Sequence, residues 1–207
     1  MDVEKDSLKA KGVTMTNEVK VTIGVPNQGS IKTNTALSLV SIIGNSQWPT
    51  HTHFQSGCYV HENREKITLA AIAAGSSHLF FLDSDMFPDD DVVIKLMAHN
   101  KDVVGVHYNQ RGFPLISTVK FADENEEIYP VQGLPDTLFK CYAVGTGCML
   151  INLRVFDIIT KPWFSFDNYH GDILGEDIWF CRQVKRAGLE VWCDPTIKVG
   201  HIGDYEY

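Results

Sequence analysis

Two aspartates separated by one residue follow a short apolar run in the first half of the chain. The run is Leu79 to Leu82, and Asp83, Ser84 and Asp85 come directly after it. A short apolar run bounded by polar residues is typical of a strand buried on both faces. Side chains alternate along a strand, so Asp83 and Asp85 would point to the same side, where their charges suit a divalent cation such as Mg²⁺ or Mn²⁺. The simpler alternative is that these aspartates begin a turn, because turns are rich in Asp.

A second acidic pair, Glu176 and Asp177, opens a predicted helix near the end of the chain. Apolar residues recur there at helical spacing, and Gly188 ends the pattern. Acids in the first turn of a helix often serve for capping alone, which is the simpler interpretation. A carboxylate in this place can also remove a proton from a hydroxyl group. Beyond this helix, His201 stands near two glycines, a setting that suits a metal ligand although a single His is more often structural.

Two stretches in the second half of the chain have a composition that suits a binding cleft. Gly145 and Gly147 flank Thr146 between two apolar runs, which indicates backbone that passes close to a ligand, or simply a bulge. The loop from 162 to 169 is aromatic, and its Trp163 either lines a cleft or packs as a hydrophobic plug under the sheet. The sequence leaves both pairs of alternatives open.

The composition is that of an ordinary globular protein. The 207 residues suit one domain, with 44% hydrophobic and 21% charged residues. A net charge of −8 without a basic cluster argues against a nucleic-acid partner, and the apolar stretches are too short to span a bilayer. Residues 1–18 are polar and charged and carry no secretion signal. We therefore expect a disordered tail over 1–18 and a single domain over 19–207.

The cysteines indicate the cellular compartment. There are five of them, an odd number, and they do not form close pairs. This pattern predicts buried free thiols in a reducing compartment, the cytoplasm. A zinc site is not expected, because no CxxC spacing occurs.

Strand and helix patterns alternate through the first half of the chain. Strands are predicted at 19–25, within 52–60, at 79–82 and at 102–108, and helices at 33–43, at 62–74 and from Pro88. This order predicts an α/β fold with a mostly parallel, Rossmann-like sheet flanked by helices. Ligands bind beyond the carboxyl ends of such strands, and both 26–29 and 83–85 fall at that edge.

The second half of the chain is less regular. Short strands are predicted at 116–122, 127–129, 139–144, 149–152, 190–194 and 196–199, with a short helix at 153–159. We expect these elements to form a smaller mixed or antiparallel part beside the main sheet.

The motifs form an ordered series along nearly the whole chain. They are PNQG after the first strand, HENREK in a helix, FFLDSDM, VGTGCML, GEDIWFCRQVKRAG and the late His201 among glycines. In this order they resemble the metal-dependent glycosyltransferases of the GT-A fold, with similarity to family 2, over roughly residues 19–203. The triplet of Asp83 to Asp85 alone is a weak signal, whereas the joint order of the motifs is a strong one.

The resemblance implies a role for each matching residue on the donor side. Pro26, Asn27 and Gln28 would cradle the donor nucleotide, and Arg64 would contact its base or phosphates. Asp83 would meet the ribose or the metal, with Ser84 beside it in the donor site. The implied metal ligands for Mn²⁺ or Mg²⁺ are Asp83, Asp85 and His201.

On the acceptor side the resemblance implies a second set of roles. Gly145, Thr146 and Gly147 would pass under the sugar, and Trp163 would lie on the sugar or acceptor side of the cleft. Glu176 would hold hydroxyl groups of the donor or acceptor. Asp177 would act as the general base that deprotonates the attacking hydroxyl.

The function implied by the resemblance is transfer of a sugar from a UDP- or GDP-linked donor to an acceptor hydroxyl, with inversion if Asp177 is the base. The acceptor is a glycan, a protein, a nucleobase or a small molecule, and the sequence does not distinguish them. A nucleotide-sugar hydrolase or a nucleotidyltransferase on a similar sheet is the first alternative, although no glycine-rich basic loop follows the first strand. A non-catalytic protein that binds nucleotides or carbohydrates is the second.

Overall fold

The structure is a computed structural model that describes residues 18–112, 114–129 and 133–203. The tail that the sequence analysis assigns to 1–18 therefore lies outside the described residues, apart from Glu18. Four of the five cysteines are buried free thiols, as expected, but Cys58 is exposed. Within the described ranges no helix is both long enough and apolar enough to cross a membrane.

The described residues form thirteen strands and five helices. The strands are β1 Val21–Asn27, β2 Thr50–Ser56, β3 His78–Leu82, β4 Met86–Pro88, β5 Val103–Val106, β6 Phe121–Ala122, β7 Ile128–Tyr129, β8 Phe139–Cys141, β9 Cys148–Asn152, β10 Asp167–Tyr169, β11 Asp172–Leu174, β12 Val191–Asp194 and β13 Val199–His201. The helices are α1 Thr33–Asn45, α2 Val60–Ala73, α3 Val92–Ala98, α4 Val155–Ile158 and α5 Glu176–Arg186.

Seven strands form the central sheet, in the order β2-β1-β3-β9-β5-β12-β8. Strands β2, β1 and β3 are parallel, as are β5 and β12, whereas β9 and β8 run antiparallel to their neighbours. Three two-stranded antiparallel sheets complete the fold. The prediction of an α/β fold with a mostly parallel sheet and a smaller antiparallel part is confirmed.

The position of β9 was not predicted. This strand separates β3 from β5, although it follows them in the chain by about 40 residues or more. Its residues suit the centre of a sheet because both faces are apolar. Met149 and Ile151 belong to the core on one side, while Cys148 and Leu150 belong to the core on the other. A strand with two buried faces is more stable in the middle of a sheet than at its edge.

A two-stranded ribbon follows the main sheet at β4 and β13. Met86 pairs with His201 and Phe87 pairs with Gly200. Gly200 is required here, since a Cβ at this position would lie 2.0 Å from the Phe87 ring. The ribbon corrects one expectation, because Pro88 lies in a strand and α3 begins only at Val92.

Segment 107–138 leaves the sheet at the carboxyl end of β5. It returns to the sheet at β8, which runs antiparallel to β12 and so begins at the same edge. The short strands β6 and β7 pair with each other within this segment. The strand predicted over 116–122 is reduced to Phe121–Ala122, because the residues before it form only isolated bridges.

The aromatic loop packs as a plug, the alternative to its role in a cleft. Trp163 is 6% exposed and packs against Phe156 at 4.9 Å between ring centroids. Phe164 is buried as well and stacks on Phe180 of α5. The assignment of Trp163 to the sugar or acceptor site is therefore corrected: the side chain belongs to the hydrophobic core.

Candidate functional site

A cavity of about 690 Å³ opens at the carboxyl ends of β1 and β3. It unites most of the residues that the sequence analysis selected, which are Pro26, Asn27, Gln28, Arg64, Asp83, Ser84, Asp85, Glu176 and His201. Asp177, Trp163 and the Gly145–Gly147 segment do not line it. We refer to this cavity as the main pocket.

The floor of the main pocket near β1 is held by two asparagines. The Asn27 Oδ1 accepts hydrogen bonds from the Gly29 N–H and from the Ser56 hydroxyl, at 2.9 and 2.6 Å. The Asn63 Nδ2 donates to the Gly57 carbonyl at 3.0 Å. These bonds fix the backbone of the turns after β1 and β2, which form this side of the pocket.

The Asp-Ser-Asp triplet lies in a turn between β3 and β4 and not in the strand itself. The Asp83 N–H donates to the Gly147 carbonyl, and the Met86 N–H donates back to the Asp83 carbonyl. The turn is also tied to the start of α1, because the Lys32 N–H donates to the Ser84 carbonyl at 2.8 Å. In this turn the two carboxylates contact different side chains of the protein, although both line the main pocket.

Arg64 occupies the centre of one acidic group. Its Nη2 donates to both carboxylate oxygens of Asp83, at 2.9 and 3.2 Å, and its Nε donates to Glu176 at 3.1 Å. The side chain is only 2% exposed and its guanidinium lies over the Phe81 ring. The Arg64 Nη1 is buried without a partner among the described residues. The resemblance implied that Arg64 contacts the donor's base or phosphates, and the structure shows in addition that it contacts two carboxylates of the protein.

Burial and neighbouring charges act in opposite directions in this group. Burial alone would lower the pKa of Arg64, but the carboxylates of Asp83 and Glu176 outweigh it and raise the pKa. Burial raises the pKa of Asp83 although Arg64 opposes the shift, and Glu176 and Asp85 add to it. Arg64 therefore remains a cation, and it neutralises part of the negative charge of Asp83 and Glu176.

Asp85 belongs to a different group, which includes His201 and Arg111. The His201 Nε2 lies 3.6 Å from the Asp85 Oδ2, and the Arg111 Nη1 lies 3.3 Å from the same oxygen. Burial would raise the pKa of Asp85, but His201 and Arg111 outweigh it and lower the pKa. The β4–β13 ribbon positions His201, since the Ile202 N–H donates to the Asp85 carbonyl and closes the ribbon against the turn.

The tautomer of His201 is set by its second nitrogen. The Nδ1 lies 2.8 Å from the Asn109 carbonyl oxygen, which can only accept a hydrogen bond, so Nδ1 carries a proton. In the neutral ring, Nε2 then presents its lone pair to the Asp85 carboxylate. Two acceptors that face each other require a cation or a proton between them. A histidine with one nitrogen bound to a backbone carbonyl and the other free is the usual arrangement of a metal ligand.

Asp85 and His201 can bind a divalent cation only together with additional ligands. The described residues contain no group of three or more His, Cys, Asp or Glu side chains placed to hold a metal. Mg²⁺ is commonly bound by one or two carboxylates together with substrate phosphates and water. Asp85 and His201 can supply two protein ligands of such a site, and a bound ligand would have to supply the rest.

The pKa of Asp177 is raised, although this residue does not line the main pocket. Burial, followed by repulsion from Glu176, raises the pKa of Asp177 to about 6. Its Oδ1 accepts a hydrogen bond from the Ile178 N–H at 2.8 Å. This carboxylate is ionised at neutral pH and can accept a proton more readily than an ordinary aspartate.

The glycines of the 145–147 segment are required by a neighbouring tyrosine. A Cβ at Gly145 would lie 2.3 Å from the Tyr108 hydroxyl oxygen, and one at Gly147 would lie 2.7 Å from that oxygen and 2.8 Å from Asp83. The Gly147 N–H donates to the Tyr108 hydroxyl at 2.9 Å. Thr146 between them is 1% exposed. The segment therefore packs against the protein itself, and it supports the position of Asp83.

Sequence reasoning missed several residues of the main pocket. Tyr108 and Arg111 follow β5, and Asn63 stands beside Arg64 in α2. The rule that ligands bind beyond the carboxyl ends of parallel strands was applied to the first and third strands. Applied to β5 as well, the same rule would have selected 107–111. No comparable signal marks Asn63, since a polar helix residue is normally exposed.

Comparisons with known proteins give similarity at the level of the fold. No protein-family model matches the chain, and its sequence matches no curated protein. A197 from STIV shares 20% identical residues at a TM-score of 0.59, covering 90% of this chain and 87% of its own. TarS from S. aureus shares 14% at a TM-score of 0.47, covering 86% of this chain and 58% of its own. A Desulfovibrio desulfuricans G20 protein described as a nucleotide-diphospho-sugar transferase shares 10% at 0.46, covering 85% and 79%. The match to A197 from STIV covers nearly the whole of both chains, so the similarity is one of the complete α/β fold.

Proposed function

We propose that this chain is a metal-dependent glycosyltransferase that takes a sugar from a UDP- or GDP-linked donor and transfers it to an acceptor hydroxyl. The observation that carries the proposal is the arrangement of Asp85 and His201. The Asp85 carboxylate and the His201 Nε2 lie 3.6 Å apart at the carboxyl edge of an α/β sheet, inside a cavity large enough for a nucleotide. This arrangement favours a divalent cation, Mn²⁺ or Mg²⁺, held jointly with a ligand that brings its own oxygens.

The charges of the main pocket support a diphosphate as that ligand. Lys32, Arg64 and Arg111 bring three cationic groups to a lining that also contains Asp83, Asp85 and Glu176. Arg64 is committed to two of these carboxylates, so Arg111 and the bound metal are the groups that would face the phosphates. When bound, the metal would stabilise the negative charge that develops on the departing diphosphate.

We assign the proton-accepting step to Asp177. Its carboxylate is held at the start of α5 by the Ile178 N–H, and in the proposed reaction it would accept the proton of the attacking hydroxyl. The raised pKa supports this role because a base with a pKa near the working pH accepts a proton efficiently. Glu176 is bonded to Arg64 and orients the guanidinium, so we assign it a positioning role.

The decisive experiment measures nucleotide release from a panel of UDP- and GDP-sugars, with Mn²⁺ or Mg²⁺ and with or without mixed acceptors. Asp85→Asn removes the charge that would hold the metal and should lower metal-dependent nucleotide affinity by about tenfold or more. The matched control is Asp90→Asn, an exposed aspartate in the same loop region, which should bind as the unmodified protein does. Affinity is measured by calorimetry.

The outcomes separate the proposed function from its alternatives. Release that depends on an acceptor supports transfer, whereas equal release without any acceptor identifies a nucleotide-sugar hydrolase. Metal-dependent binding of the nucleotide without release from any donor identifies a non-catalytic binding protein. If Asp85→Asn and Asp90→Asn bind the nucleotide equally well, the proposed metal site is wrong.

A further inference from the structure

A second cavity of about 360 Å³ adjoins the main pocket. The two cavities share Tyr108, Gln110, Arg111 and His201, so these side chains form a common wall. The far side of the second cavity is formed by His107 and by the 195–199 segment between β12 and β13. A molecule in one cavity would therefore lie beside a molecule in the other. We call the second one the basic cavity, for the reason that follows.

Four of the thirteen residues that line the basic cavity carry positively charged or imidazole side chains. Arg111 and Lys198 are cations, His107 and His201 stand beside them, and the described lining contains no Asp or Glu. The whole chain has a net charge of −8, so the positive charge of the basic cavity is opposite in sign to the net charge of the protein. A local concentration of one charge in a cleft raises the local concentration of ligands of the opposite charge.

Two of these groups have no acidic partner. Arg111 contacts Asp85, and His201 faces the same carboxylate. Lys198 and His107 contact no carboxylate among the described residues, although both line the cavity. Burial, with the positive charge of Lys198 as a second cause, lowers the pKa of His107. The far side of the cavity therefore contains a cation, Lys198, whose charge no carboxylate of the described residues neutralises.

We propose that the basic cavity binds an anionic group of the acceptor substrate, a phosphate or a carboxylate. The identification of the ligand as an acceptor rests on the proposed function, while the binding of an anion does not. The wall shared by the two cavities is the reason why we assign the anionic group to the acceptor. Tyr108 lines both cavities, and its hydroxyl lies against Gly147 beside Asp83. An acceptor anchored at Lys198 can thus extend along Tyr108 toward the main pocket.

The first experiment measures anion binding alone, by calorimetric titration of the full-length protein. The probes are inorganic phosphate and succinate, which distinguish a phosphate site from a carboxylate site. Lys198→Ala removes an exposed side chain and should not affect folding, and it should weaken binding of the preferred probe by about tenfold. His107→Gln, which keeps a polar group of similar length, should weaken the same probe to a smaller extent.

The control variant is Lys66→Ala, which removes an exposed lysine from the surface of α2. It should bind both probes as the unmodified protein does. The titrations are repeated with UDP or GDP and Mg²⁺ present, so that the main pocket is filled, and the anion should still bind. Equal affinity of the Lys198→Ala and Lys66→Ala variants would overturn the proposal. Displacement of the anion by the nucleotide would also overturn it, because the anion would then occupy the main pocket.

The second experiment tests whether the anion site serves an acceptor. Matched acceptors that differ only in one charged group, such as a sugar and its phosphate ester, are compared in the transfer assay. Lys198→Ala should raise the KM of the charged acceptor about tenfold and leave the KM of the donor unchanged. Anion binding without transfer to any acceptor would refute the proposed function and leave the anion site intact. Transfer without anion binding would refute the anion site alone.

Discussion

At the residue scale, Arg64 joins three elements that are distant in the chain. The guanidinium in α2 contacts Asp83, 19 residues away, and Glu176, 112 residues away. Both contacts are shielded from water, since the Arg64 side chain is only 2% exposed. A cation in this setting neutralises two carboxylates that would otherwise repel each other across the main pocket.

Removal of this cation gives the first prediction. Arg64→Ala leaves two partly buried carboxylates without a partner, so we expect the free energy of unfolding to fall by about 3–5 kcal/mol. Urea denaturation measures the change. Lys66→Ala on the same helix should change the free energy by less than about 0.5 kcal/mol, because that lysine forms only an exposed ion pair. Similar values for the two variants would mean that the buried ion pairs add no net stability.

The second prediction concerns Asp177, whose replacement should raise the free energy of unfolding. Its pKa is 3.8 in the unfolded reference and about 6 in the folded protein, where burial and Glu176 disfavour the charge. The folded state therefore binds the proton more tightly, and stability decreases as pH rises from about 4 to about 6. Asp177→Asn removes this loss and should stabilise the protein by up to about 3 kcal/mol above pH 6. Below about pH 4 the two proteins should be equally stable.

The same variant tests catalysis separately from stability. If Asp177 is the base, Asp177→Asn should lower the transfer rate by about 10² to 10⁴ while nucleotide affinity is kept. The rate of the unmodified enzyme should also decrease below about pH 6, as the carboxylate becomes protonated. The measurements are initial rates across pH and urea denaturation at pH 7.5. If the Asp177→Asn variant is less stable but has a normal transfer rate, Asp177 serves only as a helix cap.

Residue types identified the candidate chemistry well, but residue environments did not follow from the sequence. Asp83 and Asp85 were selected correctly as pocket residues, whereas their different partners depend on Arg64 and Arg111, which tertiary contacts bring to the turn. Arg64 was expected to contact the donor, and its burial between Asp83 and Glu176 did not follow from the sequence. The sequence contains no information on which acid of a distant helix would face that arginine.

At the element scale, the ribbon of β4 and β13 positions the metal-binding pair. This gives a third prediction, since Gly200 pairs with Phe87 and has no room for a Cβ. Gly200→Ala should displace the ribbon that carries His201, and metal-dependent nucleotide affinity should fall by about tenfold. Calorimetric titration with the nucleotide and Mg²⁺ measures the effect.

A second substitution tests the cause of that effect. Phe87→Ala removes the ring that a Cβ at position 200 would strike, so the double variant should recover most of the lost affinity. Gly44→Ala is the matched control, because a Cβ at Gly44 meets nothing within 4 Å. It should leave affinity unchanged and stabilise α1 by about 0.5–1 kcal/mol. Failure of the double variant to recover affinity would show that the loss does not come from the clash between position 200 and the Phe87 ring.

The long periodic elements were predicted, as were short strands such as β7, β9 and β12, whereas β4, β10 and β11 were not. The helices around 33–45 and 60–73 and the strands β1 and β3 match the expected positions within a few residues. Strands β4 and β13 have three residues each and pair only with one another. An element this short has no period that can be read from its sequence, and its existence depends on the partner strand.

At the scale of the whole molecule, β9 completes the sheet between β3 and β5. Those two strands come earlier in the chain, and neither contacts the other directly. The fold therefore depends on contacts between distant parts of the chain, which form late in folding. Periodicity indicated a buried strand at 149–152, but its place in the strand order is a non-local property that a single sequence does not specify.

This arrangement gives a further prediction about folding. A fragment that ends after Val106 contains β1, β2, β3 and β5 but lacks β9 and β12. We expect no cooperative unfolding transition for this fragment, because β3 and β5 would each expose an unpaired edge and both cores would be incomplete. Circular dichroism during urea titration, with the full chain as the reference, makes the test. A sharp transition in the fragment would show that β9 is not needed for folding.

Segment 107–138 has a consequence for redesign and for divergence among related chains. It leaves the sheet at the carboxyl end of β5 and re-enters at β8 on the same side, so its two ends are anchored without crossing the layer of strands. It contributes Tyr108, Arg111 and Thr118 to the main pocket and His107 to the basic cavity. The segment also contributes the buried Val119 to the hydrophobic core. A replacement that changes the ligands of the two cavities would therefore have to keep this contact for the protein to remain stable.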